Sequence, residues 1–283
     1  DTPNSLLRPS GVRFGESITL LGYAPIPSRT IQGGETLRLI VEWRANQDIR
    51  NRYVILAHVF DDRGHLWARD DREPARGFTP TDRWKAGDIV RDEHTFDLPR
   101  TMPPGDYQII VGIWDPTSGI SLEARDRQDK DLGVRVALGS IQVTKDHTSI
   151  PASFLAIEHP LYVDMGEIRL IGFAPLPQTV APGEGMQIGL YWRAREKPRD
   201  DYAVSVQLRD AEGRVAFEQT ERPAAGSYPT TLWSAGEVLL DWHDLSVPSS
   251  LAPGKYNLTV VLLSEKDRRV LGEASIGQMS VGN

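Results

Sequence analysis

Leu37, Leu39, Val41 and Trp43 alternate with more polar neighbours, the period of two that a strand with one buried face requires. The next apolar run, "YVILAHVF" from Tyr53, ends in "DDRG" and resumes at "HLWARD", which reads as strand, turn, strand. Further on, "PPGDYQIIVGIW" and "APGKYNLTVVLL" each read as a Pro-Gly turn feeding a strand. Helical periodicity over a useful length is missing. Short strands between Pro/Gly turns predict an all-β chain built of immunoglobulin-like β-sandwiches. The tyrosine of each P-G-x-Y phrase is expected to form a tyrosine corner, its hydroxyl bonding back to loop backbone.

The pattern occurs twice. "ITLLGYAPIP" from Ile18 matches "IRLIGFAPLP" from Ile168, and "LRLIVEWRA" from Leu37 matches "MQIGLYWRA" from Met186. From Trp43 to Asp115 the second copy follows at a constant offset of 149, with 22 identities in 73 positions. The tails match again at "GSIQV" and "GQMSV", and before the first tail copy one carries an insert of about eleven residues, "EARDRQDKDLG". This predicts a tandem duplication: residues 1–146 as sandwich one, 147–160 as linker and 161–283 as sandwich two. A chain of 283 residues is long enough for two domains with real cores.

Composition narrows the partners. A net charge of −7 without a basic run argues against nucleic acid. No stretch approaches the roughly 18 apolar residues of a membrane span, so no membrane insertion is expected. Cysteine is absent, which excludes disulfides and thiolate chemistry. The chain starts at Asp1 and is expected to be a mature or excised fragment.

The repeated string L-x-G-Y/F, strand-W-x-A, D-x-x-G, P-T-x-x-W-x-x-G-[ED], D-x-H and P-G-x-Y resembles a repeat in uncharacterised bacterial envelope proteins. It is similar to the extracytoplasmic C-terminal part of membrane glycosyltransferase-like proteins of the mannosyltransferase type. That resemblance spans nearly the whole chain and implies a β-sandwich outside the membrane with no catalytic residues of its own. Members of that group often carry an aromatic residue where His94 and His243 stand here.

The phrases "PTDRWKAGDIVRDEH" and "PTTLWSAGEVLLDWH" end in Asp92/His94 and Asp241/His243, the pairs on which a hydrolase reading would rest. Alternation places Val90, Asp92, His94, Phe96 and Leu98 on one core-facing side, and Leu239, Asp241, His243, Leu245 and Val247 likewise. With no third ligand type or nucleophile recurring nearby, the pairs are expected to be satisfied polar groups of the frame. No metal or cofactor is expected. Trp84 and Trp233 are expected to plug one end of each sandwich. The Asp-rich insert lacks EF-hand spacing and reads as a solvated hairpin. Asn257-Leu258-Thr259 matches a glycosylation sequon inside a strand pattern.

The differences between the copies point elsewhere. Copy two places Ala203, Ser205, Gln207 and Arg209 on the outward side of "YAVSVQLR", where copy one has Val54, Leu56, His58 and Phe60. Trp67 is read as outward, with Ile110, Gly112 and Trp114 on the outward side of the adjacent strand. Leu56, His58, Phe60, Trp67, Ile110 and Trp114 are therefore the expected binding residues, forming one apolar, aromatic patch. Four readings compete for it: burial against the rest of the chain, a protein partner or the remainder of a parent chain, a glycan stacked on Trp67 and Trp114, or an enzyme site. The expectation is a non-catalytic extracytoplasmic binding or scaffolding module of a bacterial envelope protein, with carbohydrate binding as the alternative.

Overall fold

A computed structural model describes residues 7–26, 30–145 and 155–282. The chain divides into two units, Asp1–Lys145 and Asp146–Asn283. Most of the stretch read as a linker lies outside the described residues. Its last two residues open a strand of unit two, His159–Met165.

Unit one contains β1 (Arg8–Phe14), β2 (Ile18–Ile26), β3 (Thr30–Gln32), β4 (Thr36–Ala45), β5 (Val54–Phe60), β6 (Leu66–Arg69), β7 (Ile89–Asp97), β8 (Gly105–Asp115), β9 (Ile120–Ser121), β10 (Ala124–Arg125) and β11 (Arg135–Thr144). One sheet has the order β10-β1-β2-β4-β7 and the other β3-β11-β8-β5-β6, with β9 on β8. Matching β2, β4, β5, β6, β7, β8 and β11 to strands A, B, C, C′, E, F and G gives an ABE sheet on a C′CFG sheet, the immunoglobulin-like arrangement. The first strand divides between the sheets: β2 is antiparallel to β4, whereas β3 runs parallel to β11.

Unit two repeats the pattern with β12 (His159–Met165), β13 (Ile168–Phe173), β14 (Thr179–Val180), β15 (Gly185–Ala194), β16 (Tyr202–Arg209), β17 (Val215–Glu221), β18 (Val238–Ser246), β19 (Gly254–Ser264) and β20 (Val270–Val281). Its sheets read β12-β13-β15-β18 and β14-β20-β19-β16-β17. The duplication reaches further back than the obvious matches. Strand β12 pairs with β13 as β1 pairs with β2, and both pairs shift register between a Pro and a Val, Pro9/Val12 and Pro160/Val163. The faint P-x-x-V-x-x-G common to "PSGVRFG" and "PLYVDMG" was the available signal.

Alternation buries one face of each sheet. Trp43 and Trp192 are fully buried, and Phe14 meets Trp43 edge-on at 5.8 Å. The P-T-x-x-W phrases are clasps between loops. Thr81 Oγ1 donates to the Asn51 carbonyl and accepts from Tyr53 N–H, both at 2.7 Å. Thr230 does the same to Asp200 and Tyr202 at 2.9 and 3.0 Å. Trp84 and Trp233 are buried beside these clasps, their indole N–H groups donating to the carbonyls of Thr79 and Tyr228.

The tyrosine corners are present: Tyr107 Oη donates to the Pro103 carbonyl at 2.7 Å and Tyr256 Oη to Ala252 at 2.8 Å. Tyr107→Phe is expected to lower the stability of unit one by about 1 kcal/mol, the net value of one hydrogen bond, read from its urea midpoint. An unchanged midpoint would mean that the corner carries no net energy.

The insert of copy one is a hairpin with a structural role. Its Ala124 and Arg125 add a strand to the edge of β1, and Asp126 Oδ1 accepts the N–H groups of Gln128 and Lys130, closing the turn. Asn257 lies mid-strand, its Oδ1 accepting from Gln278.

Candidate functional site

The Asp–His pairs sit on β7 and β18, edge strands of the ABE-type sheets, facing inward as alternation requires. Asp92 and His94 are 3% and 0% exposed, and Asp241 and His243 are 0% and 1% exposed. In each unit the carboxylate holds the same backbone. Asp92 Oδ1 accepts Ala75 N–H at 2.9 Å, and Asp241 Oδ1 accepts Ala224 N–H at 2.8 Å. Those alanines open left-handed pairs, Ala75/Arg76 at φ 50° and 55° and Ala224/Ala225 at φ 50° and 52°. Side chains with a Cβ adopt this region at a cost of about 1–2 kcal/mol each, so the carboxylates anchor a strained connection.

The second oxygen is used differently. Asp241 Oδ2 lies 2.7 Å from His243 Nε2 and accepts from Trp192 Nε1 at 3.3 Å. In unit one, Arg72 Nη1 bonds Asp92 at 3.1 Å and Arg72 Nε bonds Asp70 at 3.0 Å. His94 Nδ1 lies 3.0 Å from the Asp70 carbonyl. Its Nε2 stands 3.2 Å from Asp92 Oδ2, but off the line of a hydrogen bond, so the attraction there is mainly charge. Burial opposes ionisation of Asp70 and Asp92, but His94 and Arg72 outweigh it and hold both carboxyls below their ordinary range. Burial likewise opposes charging of His94, yet Asp70 and Asp92 prevail and raise its pKa. The product is a sealed polar network tying β7 to the segment after β6. Among the described residues, no group of three or more His, Asp or Glu is placed to hold a metal.

The outward face of the β6-β5-β8-β11 sheet in unit one holds most of the expected patch. Strands β5 and β8 pair so that Leu56 faces Gly112, His58 faces Ile110 and Val54 faces Trp114. Leu56, Phe60, Ile110 and Trp114 are half-buried there. A Cβ at Gly112 would lie 2.9 Å from the Val134 carbonyl and 3.7 Å from Leu56 Cδ1, so the centre is a shallow floor that glycine keeps open. The Arg135 guanidinium stands 5.8 Å from the centre of the Phe60 ring, at cation–π distance.

Two expected members are placed differently. Trp67 is not outward: it is 8% exposed and meets the core residue Tyr107 edge-on at 5.9 Å, its indole N–H donating to Asp61. The cause is a β-bulge. Val59 pairs with Ala68 and Phe60 with Leu66, so Trp67 is the extra residue, and counting back by twos from Arg69, which faces the outward His58, assigns it to the wrong side. His58 is on the outward face but only 6% exposed, with Nε2 2.8 Å from Asp71 Oδ1 and its ring edge-on to Phe60. Burial pushes His58 below the usual histidine value, and Asp71 only partly offsets that.

In unit two the equivalent face is a closed polar mesh. Ser205 and Gln207 reach Glu218, while Arg209 bonds Gln207 and Glu273. Ser205 and Gln207 within it are buried, as are Thr259 and Leu263 on the same face.

No family model matches the chain, and no curated protein matches it. Among solved structures, the C-terminal domain of Wzt is similar over 50% of this chain and 83% of its own, with 16% identity and a TM-score of 0.31. The Pseudomonas fluorescens alkylpurine DNA glycosylase AlkC, bound to DNA containing an abasic site analog, is similar over 41% of this chain and 31% of its own, with 12% identity and a TM-score of 0.29. A Niemann-Pick type C2 protein from the Japanese carpenter ant is similar over 49% of this chain and 98% of its own, with 10% identity and a TM-score of 0.28. It is the strand pairing, not these likenesses, that fixes the immunoglobulin-like topology.

Proposed function

We propose that the chain is a non-catalytic binding or scaffolding module from the outside of a bacterial envelope, and that it holds a protein partner or the remainder of its parent chain. The observation that carries this is the contrast between equivalent sheet faces. Leu56, Phe60, Ile110 and Trp114 are half-exposed in unit one, where unit two has Ser205 and Arg209 tied into a polar mesh and Thr259 and Leu263 buried. Aliphatic residues at the centre, aromatics beside them and Arg69 and Arg135 at the margin match the composition of protein interfaces. The burial of Asp92/His94 and Asp241/His243 in backbone hydrogen bonds supports a frame role over acid–base chemistry. No helix among the described residues is long and apolar enough to cross a membrane. The extracytoplasmic placement rests on the motif string, as does the link to membrane glycosyltransferase-like proteins.

A glycan platform is the second reading, favoured by the half-exposed Trp114 ring, although burial of Trp67 removes one of its two stacking surfaces. One pair of measurements separates them. A photo-crosslinking residue at position 110 of the full-length protein in its host is expected to give one defined protein adduct, reduced at least about tenfold by Trp114→Ala. Binding on a glycan array that disappears in Trp114→Ala, with the circular dichroism unchanged, would transfer the face to the glycan reading. Neither signal would remove the face as a binding site.

A further inference from the structure

Unit one carries a second feature that unit two lacks, on its other sheet. Arg13, Thr19 and Arg44 face one another in a single row across β1, β2 and β4. Adjacent strands lie about 4.8 Å apart, so the two arginines flank the threonine at about 10 Å. Arg125 continues the row on β10, directly opposite Arg13. A row of like charges opposes pairing unless something neutralises it. Asp129 serves Arg13 and Arg125, bonding the first through its carboxylate and the second through its carbonyl at 3.2 Å. Glu42, two residues from Arg44, faces Arg91 across the strand pair. Arg44 and Arg127 remain, and neither guanidinium makes a hydrogen bond or ion pair with another described residue.

These residues line one cleft of about 360 Å³, bounded by Gly11, Arg13, Thr19, Leu21, Arg44 and Arg127. Arg127 reaches it because the insert hairpin folds over β1 and because Gly11, at φ 92°, has no side chain. A Cβ there would collide with the Arg127 guanidinium. In unit two the same row is self-neutralised. It reads Asp164, Arg169, Arg193, with Asp164 bonded to Arg169, Tyr162 in the place of Gly11 and no insert.

We propose that this cleft is a binding site for a phosphate-type oxyanion, with Arg44 and Arg127 as its clamp. Guanidinium groups pair with tetrahedral oxyanions through two parallel N–H bonds, and Arg13, itself paired with Asp129, borders the cleft. The oxyanion is either a free ion or a group carried on a sugar. The chain is acidic overall, so attraction is confined to the cleft and screened by salt.

The test is a titration of the intact chain with inorganic phosphate and, separately, with glucose 1-phosphate, followed by amide resonances. Saturable shifts at Gly11, Thr19 and Arg127 are expected, weakened at least about tenfold by Arg44→Ala or Arg127→Ala. Gly11→Ala, which displaces Arg127, is expected to weaken binding as well. Arg193→Ala, the unit-two counterpart of Arg44→Ala, is expected to leave it unchanged. Tighter binding of glucose 1-phosphate assigns a sugar-borne oxyanion, and equal binding assigns a free one. No saturable shift with either, or shifts that survive in the Arg44→Ala/Arg127→Ala double variant with the fold intact, overturns the site.

Discussion

Asp92→Ala is expected to lower the unfolding free energy of unit one by about 3–5 kcal/mol, the range for breaking a buried charged pair from one side. The loss has several sources. The Ala75 and Glu93 N–H groups lose their acceptor, Arg72 loses one of its carboxylates, and His94 loses a counter-charge. The left-handed pair Ala75/Arg76 also loses the anchor that holds its strained backbone. Domains are stable by only about 5–15 kcal/mol, so the variant should sit near its folding threshold. Asp241→Ala should act on unit two, freeing the Ala224 N–H and the buried Trp192 and His243 nitrogens. Amide hydrogen exchange reads the units separately. Protection should fall across β4 and β7 in the first variant and across β15 and β18 in the second. A change under about 1 kcal/mol, on the scale of a surface substitution, would show that the aspartate is not the anchor described. An acid–base role alone would leave stability intact, so this experiment also separates frame from chemistry.

Much of this architecture was legible because it rests on local physics. Period-two alternation placed Asp92 and His94 on the core side of β7, and the P-G-x-Y phrases located both tyrosine corners. The repeat itself made the strongest argument, since a pair kept in register in both copies points to the frame. What stayed hidden depends on contacts distant in sequence. Trp67 was misassigned because a bulge opposite Val59 and Phe60 breaks the count by one, and nothing in "HLWARD" marks it. The short parallel pairings of β3 with β11 and β14 with β20 span only two or three residues, too few for a periodic signal. The arginine row was invisible for the same reason. Residues 13, 19, 44 and 127 meet only once β1, β2, β4 and the insert have paired.

The electrostatics of unit one lead to a second large effect, and one with a definite direction in pH. His94→Gln is expected to cost about 3 kcal/mol near pH 6, because Asp70 and Asp92 then face each other with Arg72 as their remaining cation. In the unfolded chain His94 titrates near about 6.5. In the fold its pKa is raised, so the protonated ring stabilises the native state. That contribution is complete below about pH 6.5 and is lost as pH rises through the folded value. Asp70 and Asp92 act at the other end of the scale. Their depressed values give stability above about pH 4 that is lost as pH falls toward the folded pKa. His58 has the opposite sign to His94. Its lowered pKa means that the unfolded chain takes up a proton first, so stability is lost as pH falls below about 6.5. Raw pH profiles of the wild type therefore mix cancelling terms, whereas the difference between wild type and His94→Gln isolates one of them. That difference, from urea unfolding at pH 5 to 9, should be widest at the acid end, narrow by up to about 1.4 kcal/mol per unit as pH rises from about 6.5 toward the folded pKa, and level off beyond it. A gap that widens with rising pH would mean that burial, not the two carboxylates, governs His94. The ring would then be neutral in the fold, and the network would be held together by Arg72 alone.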